Sequence, residues 1–312
     1  MVAPHPLAAD GGRRDDAPPR LKWRVGPPVR WVTKEASMKQ SIRRISYFFL
    51  CAFPILAFVV AVARPLRVAG VYQAIGGILF ITVAIAAWAV GARVILDRAG
   101  PRKLALAGAL FILPWAIISL LWVGIGPPFQ ATLPENYMRY LVLVSNSILV
   151  TSAFVVLKDA LYEVGECFYS TIAFAASLAA GVAYLVCLNI TLAQVAVAMG
   201  GDKTPPPAIL GLLFDGLEFF ACLMTYVTTG VFAVALGQAR LLGRGATRAY
   251  LIACGILVLL LVLRGLQYPE ISATSAPWYT RPGVIAGIPA VPWIMPCLLG
   301  AVLLRRAGAA QS

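Results

Sequence analysis

Residues 104–124 read LALAGALFILPWAIISLLWVG, an uncharged apolar run bounded by Arg102 and Lys103 before it and by Gly126-Pro127-Pro128 after it. A helix of about twenty such residues, rising 1.5 Å per residue, crosses the roughly 30 Å of hydrocarbon in a bilayer. Working outward, the same unit recurs along residues 46–306: an apolar stretch, then a short connection that carries most of the charge. The spans assigned on this basis are 46–63, 71–92, 104–124, 139–157, 170–193, 212–237, 249–267 and 283–304. The expected fold is therefore an all-α polytopic membrane bundle of about eight helices, because only helices or closed barrels satisfy the backbone inside lipid.

Composition agrees with this reading. The chain is 60% hydrophobic and 12% charged over 312 residues, against roughly 25% charged in soluble domains. No stretch outside the spans is long enough to bury a core of its own. Residues 1–45 are expected to form a basic, disordered tail, residues 46–306 the transmembrane bundle and residues 307–312 a short second tail. Met38 begins a second basic-then-apolar start, so initiation at Met1 and at Met38 are both open. The run that follows, ending in Ala61-Val62-Ala63, also has the form of a cleavable signal. An uncleaved first helix is the favoured reading, since the run is long for a signal and Pro65 lies close to the cut.

The net charge of +13 suggests nucleic acid until its distribution is examined. Ten Lys and Arg residues precede Ser46 and most of the rest fall in alternate connections. With the N-terminus placed inside, twenty basic residues lie on the cytoplasmic side and five (Arg64, Arg67, Arg139, Lys203, Arg281) on the other, with Arg264 within span seven. This asymmetry obeys the positive-inside rule and places both termini in the cytoplasm. The expected location is a cell inner (plasma) membrane. The expected partners are the lipid bilayer and other membrane subunits, with no nucleic acid.

Few side chains remain for chemistry. Asp215 and Glu218, in LLFDGLEFF, share one helical face at a spacing of three and stand in the outer part of span six. Intramembrane carboxylates cost about 2.5–3.5 kcal/mol each to insert and usually face a partner. They form a candidate proton or cation site; the plainer alternative puts both at the outer headgroup boundary. Arg264 is expected at matching depth on span seven, which predicts an Asp215–Arg264 ion pair, with snorkelling of Arg264 as the alternative. Asn146, Ser147 and Thr151 in span four and Asn189 in span five are a candidate polar lining, or else plain interhelical hydrogen bonds. Asp159, Glu163 and Glu166 form one acidic stripe if helical, read as a solvated helix end rather than a metal site. Ala173, Ser177 and Gly181 follow the small-xxx-small spacing of close helix approach. Pro54 and Pro114 are expected to kink spans one and three. The six cysteines show no paired spacing, and five lie in apolar segments as small hydrophobes.

Several activities are excluded by residue type. The single histidine, His5, precludes haem held by paired histidines, His-Glu-x-x-His proteolysis and His-ligated di-iron chemistry. There is no Gly-x-Ser-x-Gly and no phosphate loop. No lysine stands inside spans five to eight to form a retinal Schiff base. No cofactor is expected, and no motif assigns the chain to a family. Two functions stay open: a non-catalytic sensor, assembly factor or subunit of a membrane complex, and a small-solute or ion-coupled transporter using Asp215 and Glu218. A lipid-modifying enzyme is third, with the acidic stripe as its one candidate site.

Overall fold

The computed structural model describes residues 30–62, 71–97, 101–122, 131–201, 207–265 and 290–310, except for the side chains of 30–37, 58–62, 72, 208, 212, 264 and 265. Among the described residues every regular element is helical: α1 (Arg30–Val62), α2 (Val71–Val90), α3 (Arg102–Leu121), α4 (Leu133–Glu163), α5 (Phe168–Met199), α6 (Ala208–Gln238), α7 (Arg244–Gly265) and α8 (Ile294–Ala309), with short 3-10 turns at Ala92–Leu96 and Val291–Trp293. Residues 1–40 and 41–312 form separate units, and the bundle described below is the second.

Seven of these helices, α2 to α8 (the last with its preceding 3-10 turn), are long and apolar enough to cross a membrane. Multi-pass membrane architecture is thus established from the helices themselves. The expected first span lies in α1, which sends Leu50, Phe53 and Ala57 into the core and so packs as an eighth helix. Several helix boundaries differ from the sequence reading, three of them at the ends of the chain and at the start of α4. The helix α1 begins at Arg30, so residues 30–45 of the expected disordered tail are helical. At the other end, α8 runs from Ile294, after the 3-10 turn at Val291–Trp293, on to Ala309, through half of the expected short tail, while residues 283–289 of the expected span lie outside the described residues. The third change is in α4, which opens six residues early at Leu133. There Thr132 Oγ1 accepts from the Glu135 amide at 3.4 Å while the Thr132 amide donates to Glu135 Oε2 at 2.7 Å. This capping box satisfies amides that would otherwise be orphaned at the helix start.

The α4–α5 turn is also locally encoded. Gly165 has φ +85°, and the amides of Gly165 and Glu166 donate to the carbonyls of Tyr162 and Leu161 at 3.1 and 3.0 Å, a Schellman closure. Helix α5 begins two residues on, and the Glu166 carboxylate accepts from the amides of Tyr169 (2.8 Å) and Ser170 (3.0 Å) in its first turn. A carboxylate is favoured here by the positive end of the helix dipole. The expected acidic stripe is therefore divided. Glu166 caps α5, whereas Asp159 and Glu163 on α4 both pair with Lys103 at the start of α3, the second at 2.6 Å.

Helices α2 to α7 pack consecutively, and α8 returns to lie against α3 and α2. The close return has a definite cause. A Cβ on Gly300 would stand 2.7 Å from the Gly108 carbonyl, and one on Gly108 would stand 2.9 Å from the Gly300 carbonyl. Further along α8 a second crossing repeats the device, with Gly91 against the Leu304 carbonyl and Gly308 against that of Val90. Without a hydrophobic force between helices in lipid, such backbone approach is what gains van der Waals contact. Gly181 of α5 likewise accepts Thr151 of α4 in the space a Cβ would fill, and Ala173 and Ser177 are buried on the same face. Pro54 and Pro114 both sit inside unbroken helices.

The interior is aromatic. Phe154 of α4 is stacked on Phe232 of α6 (centroids 5.2 Å, interplanar 10°) and meets Phe111 of α3 edge-on at 4.8 Å. Tyr184 of α5 and Trp293 meet edge-on at 5.3 Å, and Trp115 and Tyr226 are fully enclosed. Among the seven membrane-length helices the most peripheral is α7, with 11% of its apolar stretch buried against 61% for α3, α6 and α8.

Candidate functional site

The helix α6 starts at Ala208, four residues before the expected boundary, which places Glu218 about 15 Å along its axis. Glu218 is buried, 4% exposed, while Asp215 one turn earlier is partly buried. The two carboxylates share a face as the spacing predicted, yet their surroundings differ. The Glu218 charge acts on the Cys187 thiol of α5 and on the Tyr140 phenol of α4. Below Glu218 the same face of α6 carries Cys222, Thr225 and Thr229, all buried. Cys222 Sγ and Tyr184 Oη lie 3.5 Å apart in a shared hydrogen bond, and Thr225 and Thr229 donate to the carbonyls of Ala221 and Thr225 at 2.8 Å. Glu218 is thus the first buried member of a polar stripe on a mostly apolar helix.

Arg139 belongs to this region and was not singled out from sequence, where it counted only as an outer-side charge. It is 4% exposed, donates to Asn136 Oδ1 at 2.8 Å and lies over the Trp122 ring at 5.6 Å. Tyr140 feels both Arg139 and Glu218. A buried guanidinium and a buried carboxylate therefore act on one phenol at the same end of the bundle. The signal that could have revealed Arg139 was the Thr132–Glu135 capping box, which starts the helix early and moves this residue from the first position of the expected span into the second helical turn. The Arg264 side chain, and with it the expected Asp215–Arg264 pair, lies outside the described residues, as do the connections at 123–130, 202–206 and 266–289.

The four residues expected to line a polar path do not converge on one. Asn146 is fully buried and donates Nδ2 to the Pro114 carbonyl of α3 at 3.1 Å, a link between helices. Ser147 and Thr151 donate to the carbonyls of Val144 and Ser147 on their own helix, both at 2.8 Å. Asn189 stands exposed on α5 and bonds back to Leu185 at 2.7 Å. Backbone-directed hydrogen bonds of this kind occupy the donors of Ser147, Thr151 and Asn189 within their own helices, whereas Asn146 keeps its buried Oδ1 without a partner.

At the opposite, basic end, an open cleft of about 440 Å³ is lined by Lys103, Leu106, Val155, Val156, Lys158, Asp159 and Phe174. Lys158 lies over the rings of Tyr162 and Phe174 at 5.6 and 5.9 Å. Among the described residues no group of three or more His, Cys, Asp or Glu side chains is placed to hold a metal ion, and all six cysteines are free thiols. No protein family, curated protein or solved structure matches this chain.

Proposed function

We propose that this chain is a non-catalytic subunit, sensor or assembly factor of a membrane complex, acting through contacts within the bilayer. It would sit in a cell inner membrane with its basic end facing the cytoplasm, an orientation that the asymmetry of Lys and Arg supports. The observation that carries this reading is the aromatic filling of the bundle centre. Phe111, Phe154, Phe232, Trp115, Tyr226, Tyr184 and Trp293 interlock across α3, α4, α5, α6 and the start of α8. Such packing suits a rigid body that presents surfaces to neighbours. Helix α7 offers the surface: Leu251, Ile252, Ile256, Leu259 and Val262 are exposed along it.

Gly255 on α7 provides the test, because a side chain there would meet nothing within 4 Å in the bundle itself. Gly255→Leu should leave the monomer intact while blocking close approach by a partner helix. Extracted in mild detergent at natural expression, the wild-type protein should migrate in an assembly well above its own 33.3 kDa. The variant should lose most of that assembly. A lone monomer in the wild-type extract would end this reading.

The burial of Glu218 favours a second reading, an ion-coupled carrier. Among the described residues, Asn146 Oδ1, Thr228 Oγ1 and Trp115 Nε1 are buried without hydrogen-bond partners, polar capacity that a hydrated path would use. On this reading Glu218→Gln, which keeps the shape and removes the charge, should reduce proton uptake into reconstituted vesicles at least tenfold. Equal uptake by wild type, variant and protein-free vesicles would remove the carrier.

A further inference from the structure

Three arginines from distant parts of the chain meet at the basic end of the bundle. Arg43 stands on α1 three residues before its apolar run, Arg93 in the 3-10 turn that follows α2, and Arg305 in the last turns of α8. The fold holds them together through its tightest contacts. Arg43 Nη2 donates to the backbone carbonyl of Arg305 at 2.7 Å, and the same nitrogen lies 2.8 Å from where a Cβ on Gly308 would be. The Gly91–Gly308 crossing brings the Arg93 turn against α8. Arg305 is fixed in turn with its guanidinium 4.8 Å over the Tyr47 ring.

Among the described residues, the charges that act on Arg43, those of Arg93 and Arg305, are both positive. Burial lowers its pKa first, and the neighbouring Arg93 and Arg305 charges lower it further; among the described residues no carboxylate acts on it. Like charges gathered by rigid contacts repel unless an anion sits among them. Arg93 and Arg305 are exposed, so the cluster is open to such an anion. Guanidinium forks match phosphate oxygens in geometry and are weakly hydrated, which makes three of them a receptor for phosphate in particular. The cluster lies where α1, α2 and α8 leave their apolar segments, the level of lipid headgroups.

We propose that Arg43, Arg93 and Arg305 form a binding site for one phosphate group at the basic face of the bundle, of the kind carried by an anionic phospholipid headgroup or by free phosphate. The inference stands independently of whether the protein acts as a subunit or a carrier. Its test uses the full chain in nanodiscs, with release into the gas phase and a count of retained lipid by native mass spectrometry. From discs of mixed phosphatidylglycerol and phosphatidylcholine, the wild-type protein should keep the anionic lipid at least fivefold over its share. Arg93→Gln/Arg305→Gln should abolish that enrichment, and it leaves the bond from Arg43 to the residue 305 carbonyl in place. Arg240→Gln/Arg244→Gln, at the same end but outside the cluster, should not. Displacement of the lipid by millimolar inorganic phosphate would assign the site to free phosphate; no displacement would assign it to the headgroup. Enrichment unchanged in the Arg93/Arg305 variant, or lost equally in the Arg240/Arg244 control, would overturn the proposal.

Discussion

Gly300→Leu should abolish the native bundle, with a loss of about 3 kcal/mol or more. The Cβ alone would stand 2.7 Å from both the Gly108 carbonyl and the Phe111 Cβ, and 3.4 Å from Ile112. Overpacking in a tolerant core costs roughly 1–3 kcal/mol because flexible side chains give way. Here the obstacle is backbone, so α3 and α8 must separate, and the interface they share is among the most extensive of the bundle. Separation also releases the neighbouring Gly91–Gly308 crossing, since both lie on α8. Unfolding in mixed micelles, followed by tryptophan fluorescence, should find no folded baseline for this variant. Gly77→Leu is the control, because nothing lies within 4 Å of its Cβ position. Equal behaviour of the two variants would refute the claim that this crossing holds the bundle together.

Phe154→Ala should lower stability by about 2 kcal/mol, the second largest loss expected. The ring is 2% exposed and bridges α3 and α6 through Phe111 and Phe232. In a soluble core the same truncation costs roughly 3–5 kcal/mol. Part of that figure is transfer from water, which vanishes in a bilayer because the unfolded helix keeps its side chain in lipid. What remains is the dispersion lost around the cavity and the aromatic geometry. Val155→Ala, on the exposed face of the same helix, should change stability by less than about 0.5 kcal/mol. Mixed-micelle unfolding midpoints of the two variants decide the matter: if they coincide, the aromatic centre is not what makes the bundle rigid.

The polar residues show most clearly how far the sequence could be read. Asp215 and Glu218 were legible as a pair because helical spacing puts i and i+3 on one face whatever the partners are. That Glu218 is the buried one, beside Cys187 and Tyr140, depended on where α6 begins and on which helices flank it. Arg139 was hidden for a related reason, since a capping box moved it from the edge of its span into the second turn of the helix. Of the expected lining, Ser147, Thr151 and Asn189 bond back to their own helices, because a polar side chain in an apolar helix has a carbonyl of its own within reach, while Asn146 reaches across to α3. The acidic stripe divided when Gly165 broke the helix between Glu163 and Glu166.

From its residues alone this chain specifies helices that cross a membrane, and its lysines and arginines supply the expected orientation. Both follow from transfer between water and lipid, which each segment undergoes without reference to the others. Which glycines meet, which rings interlock and which arginines converge could be decided only by tertiary packing. Gly108 and Gly300, or Arg43 and Arg305, are separated by most of the chain, and lipid gives an isolated helix no signal about its neighbours. Their meeting depends on shape complementarity between whole helices, a property that no single apolar stretch contains.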